Sequence, residues 1–430
     1  MECITTWIGE VPLGNVIQSS LMDVIMGAYQ SEDSFEAAVE CLCAIFKETR
    51  DVDEYLDTIK TLYPRILSQR GRIAQAAETE DTETLKGLAR VFAEAGESWV
   101  VLIARMPDDF RDLVEAILEC AARDKDRDAI SLTFNFWYEL KQYLTLERYI
   151  AARATLADIY SKLVDVMVGH LEFPKPEGGG SDLFEGDREQ EDKFREFRHQ
   201  MGDVLKDCCE VIGVTECLQK SYNLIEQWVG AYGAQANQGQ VPNWQKLEAP
   251  LFSMRAMGRM VPDDEGIMLP RLIPLIVTIP DQEKVRFQAV MALGRYTEWT
   301  AQHPETLEPQ LNFIIAAFQH PSKEVRTAAA LSFRFFCNDC AVLLRDHVGQ
   351  LQQFYEGVIN TLPPASQEEI TEGIASVLAK LPAEQVYGSF KTSCDPVMKR
   401  LMEMAQSATD EKGKIAIAGK KLLPSPGCHY

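Results

Sequence analysis

Two groupings in this 430-residue chain have residue types and spacings that could do chemistry. The first is Cys337-Asn-Asp-Cys340, a CxxC spacing of the kind that holds zinc. A closed tetrahedral zinc site needs four ligands, and neither a second CxxC nor a nearby His pair supplies the other two. The second grouping is an acidic stretch, residues 172–196, with nine acids against four bases. Within it Glu177, Asp182, Glu185, Asp187, Glu189, Glu191 and Asp192 crowd a short segment that also carries Gly178, Gly179 and Gly180 and the helix-averse Pro174 and Pro176. Carboxylates at that density form a negative arm whose chemistry is the attraction of a basic protein surface.

Signatures of catalysis are missing. No GxxxxGK[ST], HExxH, GxSxG or dinucleotide glycine pattern follows a strand, and no strand pattern is evident at all. The segment from Gly413 to Lys421 holds Gly-Lys twice, but without the phosphate-loop spacing. Six histidines, His170, His199, His303, His320, His347 and His429, are scattered and offer few general acid–base candidates. The expectation is a protein with no catalytic residues, no cofactor and no metal.

Composition narrows the partners. With 43 basic and 65 acidic residues the formal net charge is −22, which argues against nucleic acid and favours basic protein partners. No apolar run reaches the roughly 18 residues that a membrane-crossing helix requires. The 11 cysteines are odd in number, and Cys41, Cys43, Cys120, Cys208, Cys209 and Cys217 fall within helical runs. They read as buried free thiols.

The elements that would carry these residues come from a repeat. From Val285, apolar or small residues fall at Ala289, Leu293 and Tyr296; from Val325, they fall at Ala329, Phe333 and Phe336, the same offsets of 4, 8 and 11. Those offsets mark one face of a helix. Asp281 and Ser322 stand as N-cap candidates, and a second helical run, Leu307 to Phe318, is fenced by His303-Pro304 and His320-Pro321. Further starts at Leu247 and Ile370 give spacings of 38, 40 and 45 residues, with Ser366 and Glu369 placed as a capping box. Two antiparallel helices per roughly 40 residues is the period of HEAT or armadillo units, so the expected fold class is all-α, an α-solenoid of HEAT repeats.

Upstream the pattern gives a helix through Val16, Leu21, Val24 and Ile25, then runs over 34–47 and 52–67. One long helix is expected over 85–106, stopped by Pro107, then helices over 110–120, 130–144 and 149–170 with Asp124 to Asp128 as a charged turn. Ile130 to Leu144 is apolar almost all round and must be covered on more than one side. The organisation expected is HEAT repeats over 1–171, the acidic Gly/Pro-rich loop inserted over 172–193 and projecting outward, HEAT repeats over 194–412 and an irregular tail over 413–430. The first residues lack the polar outer face of a terminal repeat, and the last residues stop where another repeat is due; the expectation is a piece of a longer array.

Ile130 to Leu140, ISLTFNFWYEL, and Phe194 to Cys217, FREFRHQMGDVLKDCCEVIGVTEC, carry a resemblance to a known family, with weaker matches from Trp7 through Leu378–Pro382 to about Met404. The chain resembles the middle of members of the importin-β (karyopherin-β) superfamily of nuclear transport receptors, and within it the transportin-3-like import receptors. The resemblance implies a receptor segment that binds protein cargo, basic or serine/arginine-rich, together with Ran-GTP and FG nucleoporins, and that shuttles between cytoplasm and nucleus through the pore. It also implies that the acidic loop serves as a secondary contact with Ran or with basic cargo. The family's principal Ran-binding repeats would precede Met1. Its arginine-rich cargo helix has no counterpart here, since Arg65, Arg70 and Arg72 are too sparse. The alternatives are a HEAT scaffold subunit of another complex and a truncated receptor fragment.

Overall fold

The computed structural model describes residues 2–175 and 183–407. Every regular element among them is helical. They divide into two compact units, residues 1–292 and a second unit from Leu293 onward.

The first unit is a two-layer stack. One layer holds the helices Phe35–Glu48, Thr82–Ser98, Phe134–Leu144, Arg188–Ile212 and Gln245–Met257, each packed on the next. The other holds Leu56–Leu67, Gly71–Glu78, Pro107–Arg123, Ile150–His170 and Val214–Ala236. Each chain reversal hands the polypeptide from one layer to the other, which buries the apolar stripe of every helix between its own partner and the neighbouring repeats. Val39, Leu42, Leu88, Phe92, Leu113, Ile117 and Leu163 are all buried in that seam.

Two expected helices are broken, and both breaks have the same cause. The run 85–106 divides into Thr82–Ser98 and Val100–Arg105 at Trp99, whose backbone (φ −109°, ψ 17°) leaves the helical region. Its fully buried indole donates Nε1–H to Thr49 Oγ1 at 2.8 Å and meets Phe46 edge-on at 5.2 Å. Pro107 then opens the next helix as its first residue, the position where its missing N–H costs least. The run 130–144 divides into Asp128–Ser131 and Phe134–Leu144; Thr133 Oγ1 bonds back to Ile130 O at 2.7 Å and accepts Trp137 Nε1–H at 3.2 Å. A large buried indole needs a partner for its one donor; Thr49 supplies it for Trp99 and Thr133 for Trp137. Phe136 and Trp137 are fully buried while Tyr138 is exposed, so the aromatic run is covered on one broad face and open on the other.

In the second unit Lys323–Asp339 and Pro364–Leu378 lie side by side, with Leu307–Ala317 and Val348–Val358 backing them. Phe318, Phe333 and Phe354 form a triangle with centroids 5.1–6.1 Å apart. The helix expected to start with a Ser366–Glu369 capping box starts earlier, at Pro364 after Pro363. Proline's fixed φ prepares the first turn at that point. Ser366 is consequently inside the helix and buried, and Glu369 turns to Arg334 at 2.8 Å. In the Glu283–Leu293 helix it is Gln282 Oε1 that accepts Val285 N–H at 2.9 Å. The tail expected over 413–430 lies outside the described residues.

Candidate protein-binding site

The acidic segment is built around a long helix that begins sooner than the sequence pattern indicates. Arg188–Ile212 starts six residues before the expected resumption at Phe194, because Asp187 caps it: its Oδ1 accepts Glu189 N–H at 3.0 Å and Gln190 N–H at 3.1 Å. Glu189, Glu191 and Asp192 therefore stand on the first turns of a helix, not in a loop. Carboxylates there are favoured by the partial positive charge of the helix N-terminus. Glu185 occupies the left-handed region (φ 52°) in the turn that leads to Asp187, and Gly186 follows with φ 84°. Glu177 and Asp182 lie outside the described residues.

Part of this charge is matched locally. Lys193 Nζ reaches Glu189 at 2.7 Å; Arg195 reaches Asp192 at 3.2 Å and Glu191 at 3.6 Å. All these side chains are exposed, so water screens the pairs and they add little to stability. The hydrogen bond from Lys193 to Glu189 holds the ammonium above its ordinary range. Glu185 and the matched acids together leave an exposed negative face at one helix end.

Beneath that face is an arginine–aromatic base that the sequence pattern did not signal. Phe173 and Phe184, which bracket the insertion, both pack on Phe194 at 5.3 and 5.6 Å, and Phe173 also meets Trp244 at 5.6 Å. Into this cluster runs Arg198, stacked over Phe252 at 4.1 Å and Phe173 at 4.5 Å. Its guanidinium donates to both carboxylate oxygens of Glu248 at 2.8 Å, and both residues are buried. Burial pushes the Glu248 carboxyl up, against the pull of Arg198. A second guanidinium, Arg127, lies over the other part of the cluster, 4.6 Å from the Phe194 centroid, and donates to Glu172 O at 3.1 Å. Arg127 itself sits at φ 69° at the end of the Asp124 turn, where Asp124 accepts the N–H groups of Asp126, Arg127 and Ile130 at 2.8–3.1 Å. Burial also raises the Glu172 carboxyl, with Lys246 and Lys175 opposing it. The described flanks of the acidic insertion, Glu172 and Phe173 on one side and Phe184 on the other, are thus packed on the stack. The one usable signal was the pair of phenylalanines flanking a polar insert; Arg198 and Glu248 look like ordinary surface charges in sequence.

The CxxC pair does something else. Cys337 and Cys340 are buried, and Cys340 Sγ lies 3.6 Å from Thr297 O as a donor in the core. Burial pushes the Cys340 thiol up to about 12 and Cys337 higher still. The ten described cysteines are all free, eight of them buried.

Three regions match known families: residues 80–170 the transportin-3/importin-13 second TPR domain, residues 267–354 the transportin-3/importin-13 third TPR domain, and residues 1–42 an exportin 1-like protein. Among curated proteins, an uncharacterised protein of Schizosaccharomyces pombe is 44% identical over 94% of this chain. The mRNA transport regulator MTR10 of Saccharomyces cerevisiae is 33% identical over 93%, and human importin-13 is 23% identical over 97%. The chain spans 41–43% of the length of these three relatives. Among solved structures, importin-13 in its cytosolic state matches with a TM-score of 0.81 at 17% identity, over 96% of this chain and 50% of that one. Kap121p bound to Nup53p matches with a TM-score of 0.64 at 16% identity, over 96% and 38%. These likenesses, together with the helix-pair stack, make each unit a HEAT-type α-solenoid. The chain belongs to the importin-β superfamily, among its transportin-3/importin-13-like members.

Proposed function

We propose that this chain is a protein-binding segment of a nuclear import receptor, engaging protein cargo, Ran-GTP and FG nucleoporins, with serine/arginine-rich or similarly basic proteins as cargo. The observation that carries the reading is the extent of the match: 96% of the chain superposes on importin-13, and two transportin-3/importin-13 domain families fall on it in order. The absence of cofactor, metal and enzymatic roles belongs to the same proposal. Work is done by surface complementarity along helix rows, and localisation follows the cycle between cytoplasm and nucleus.

Within this reading the exposed acids Glu185, Glu189, Glu191 and Asp192 contact a basic face of Ran or cargo, and Asp187 holds the helix start that presents them. Glu177 and Asp182 extend the same charge by sequence. The arm adds encounter rate more than affinity, since rim charges act chiefly on association.

The test is a binding assay of the 430-residue chain beside a full-length MTR10-type receptor. The probes are GTP-loaded Ran, a phosphorylated serine/arginine-rich domain and an FG-repeat segment. Binding of the FG segment with saturable affinity supports the receptor reading; a chain that captures none of the three while the full-length receptor captures all refutes it for this segment. Charge reversal of Glu185, Glu189, Glu191 and Asp192 to Lys is expected to weaken the basic ligands severalfold and leave the FG segment unchanged. Equal affinities for the reversed and native chains would remove the arm from the mechanism.

A further inference from the structure

An open cleft of about 460 Å³ lies between the neighbouring helices Pro107–Arg123 and Ile150–His170 of the first unit. Both helices have described neighbours in their layer, Gly71–Glu78 before them and Val214–Ala236 after, so the opening belongs to the stack itself. Its floor is apolar, made by Leu118, Ala122 and Val166. Arg70, Arg123 and Lys162 line it together with Glu115 and Glu119. Three cations to two acids is the reverse of the chain as a whole, which has 43 basic and 65 acidic residues.

The surrounding acids hold these cations without using all their donors. Arg70 reaches Glu119 at 3.1 Å, Glu115 at 3.4 Å and Asp112 at 3.5 Å, while Arg111 reaches Glu115 at 3.0 Å and Asp158 at 2.6 Å. Arg123 meets Glu119 through Nε alone at 3.0 Å, and Lys162 meets Asp158 at 3.2 Å. Among the described residues, both Nη groups of Arg123 and two of the three Lys162 donors are therefore left over, on side chains 42% and 61% exposed. An open guanidinium fork and an ammonium on two neighbouring helices suit a dianion with three acceptor oxygens better than a carboxylate with two. Charge also indicates what carries the anion. A chain of −22 repels a free anion but attracts a net-positive peptide that bears one, and basic side chains of that peptide find Glu115, Glu119 and Asp158 beside the cleft.

We propose that this cleft binds a phosphorylated serine or threonine carried in a basic peptide segment of a partner protein, with the phosphate seated over Ala122 between Arg123 and Lys162. The site is distinct from the acidic helix start, and the inference is independent of which protein carries the segment.

The experiment titrates the full chain into a fluorescent peptide of Lys and Gly with one central phosphoserine, read by polarisation at fixed salt. The same peptide with plain serine runs beside it, and inorganic phosphate serves as competitor. The phosphopeptide should bind roughly tenfold or more tightly than the serine peptide, the size of one hydrogen bond to a charged group. Arg123→Gln with Lys162→Gln should remove that preference. Ala122→Glu should remove it too, since it sets a carboxylate on the floor and leaves every cation in place. All three positions are exposed, so the helical signal should be unchanged in both variants. Charge reversal of Glu185, Glu189, Glu191 and Asp192 should weaken both peptides alike and keep the preference, which separates this cleft from the acidic arm. Equal affinity for the two peptides overturns the inference, as does a preference that survives both variants. It is also overturned by inorganic phosphate that displaces the phosphopeptide at equal concentration, because the cleft would then hold the bare ion and not the peptide.

Discussion

Arg198 shows how far a single residue can depart from its appearance in sequence. It lies in a run of charges, FREFRHQ, yet its guanidinium is buried among Phe173, Phe194 and Phe252 and paired twice with Glu248. Removing one member of a buried pair strands the other charge. Arg198→Met is therefore expected to destabilise the first unit by about 3–5 kcal/mol, and adding Glu248→Leu should restore most of that loss; urea unfolding of the two variants measures it. A double variant as unstable as the single one would mean that packing, not charge pairing, dominates. His170 supplies the pH dependence. Burial depresses it below its ordinary 6.5, and its Nε2–H donates to Ala121 O at 2.8 Å. The unfolded chain therefore takes up this proton first as pH falls, so the stabilisation is complete above about pH 6.5 and declines below it towards the depressed value. His170→Gln, which keeps a donor but does not titrate, should flatten the loss of stability between pH 7.5 and 6; an unchanged slope would assign the loss to other groups such as His199.

At the scale of the element, helix ends and helix breaks carry the information. Asp187 lengthens the Arg188–Ile212 helix to 25 residues and converts three acids of an expected loop into a helix face. Trp99 and Thr133 break helices whose apolar period runs on without interruption. Close packing between elements depends on Gly96, where an added Cβ would come within 2.7 Å of both Ile117 Cδ1 and the Phe136 ring. Gly96→Ala should improve intrinsic helix propensity by roughly 0.5–1 kcal/mol yet lower stability by about 1–3 kcal/mol, since the overpacking exceeds the gain. A rise in Tm would show that the Phe136 ring yields readily.

For the whole molecule the governing quantity is charge. Ion pairs link neighbouring repeats of the first unit in both layers: Arg90 with Glu36 and Glu40, Arg50 with Glu94, and Lys141 with Asp207 and Glu210 in one; Arg65 with Asp23, Arg111 with Asp158, and Lys220 with Asp165 in the other. These contacts occupy cations, so the surplus of 22 negative charges is left largely to outward-facing acids. Association with any basic protein should accordingly be steered. The association rate constant is expected to fall about tenfold or more between 50 and 300 mM salt, with a smaller change in dissociation. Stopped-flow measurement with a lysine-rich peptide checks this, and a rate indifferent to salt would remove steering from the account.

The amino-acid sequence by itself determined the helical class, the repeat of about 40 residues and the burial of the thiols within helical runs. It could do so because each rests on local periodicity or composition, which a helix expresses without help from distant residues. Tertiary structure alone decided where the long helices break, since Trp99 finds its hydrogen-bond partner 50 residues away in Thr49. It also decided that Arg198 is core and not surface, because Glu248 lies 50 residues along the chain on the next helix of the same layer.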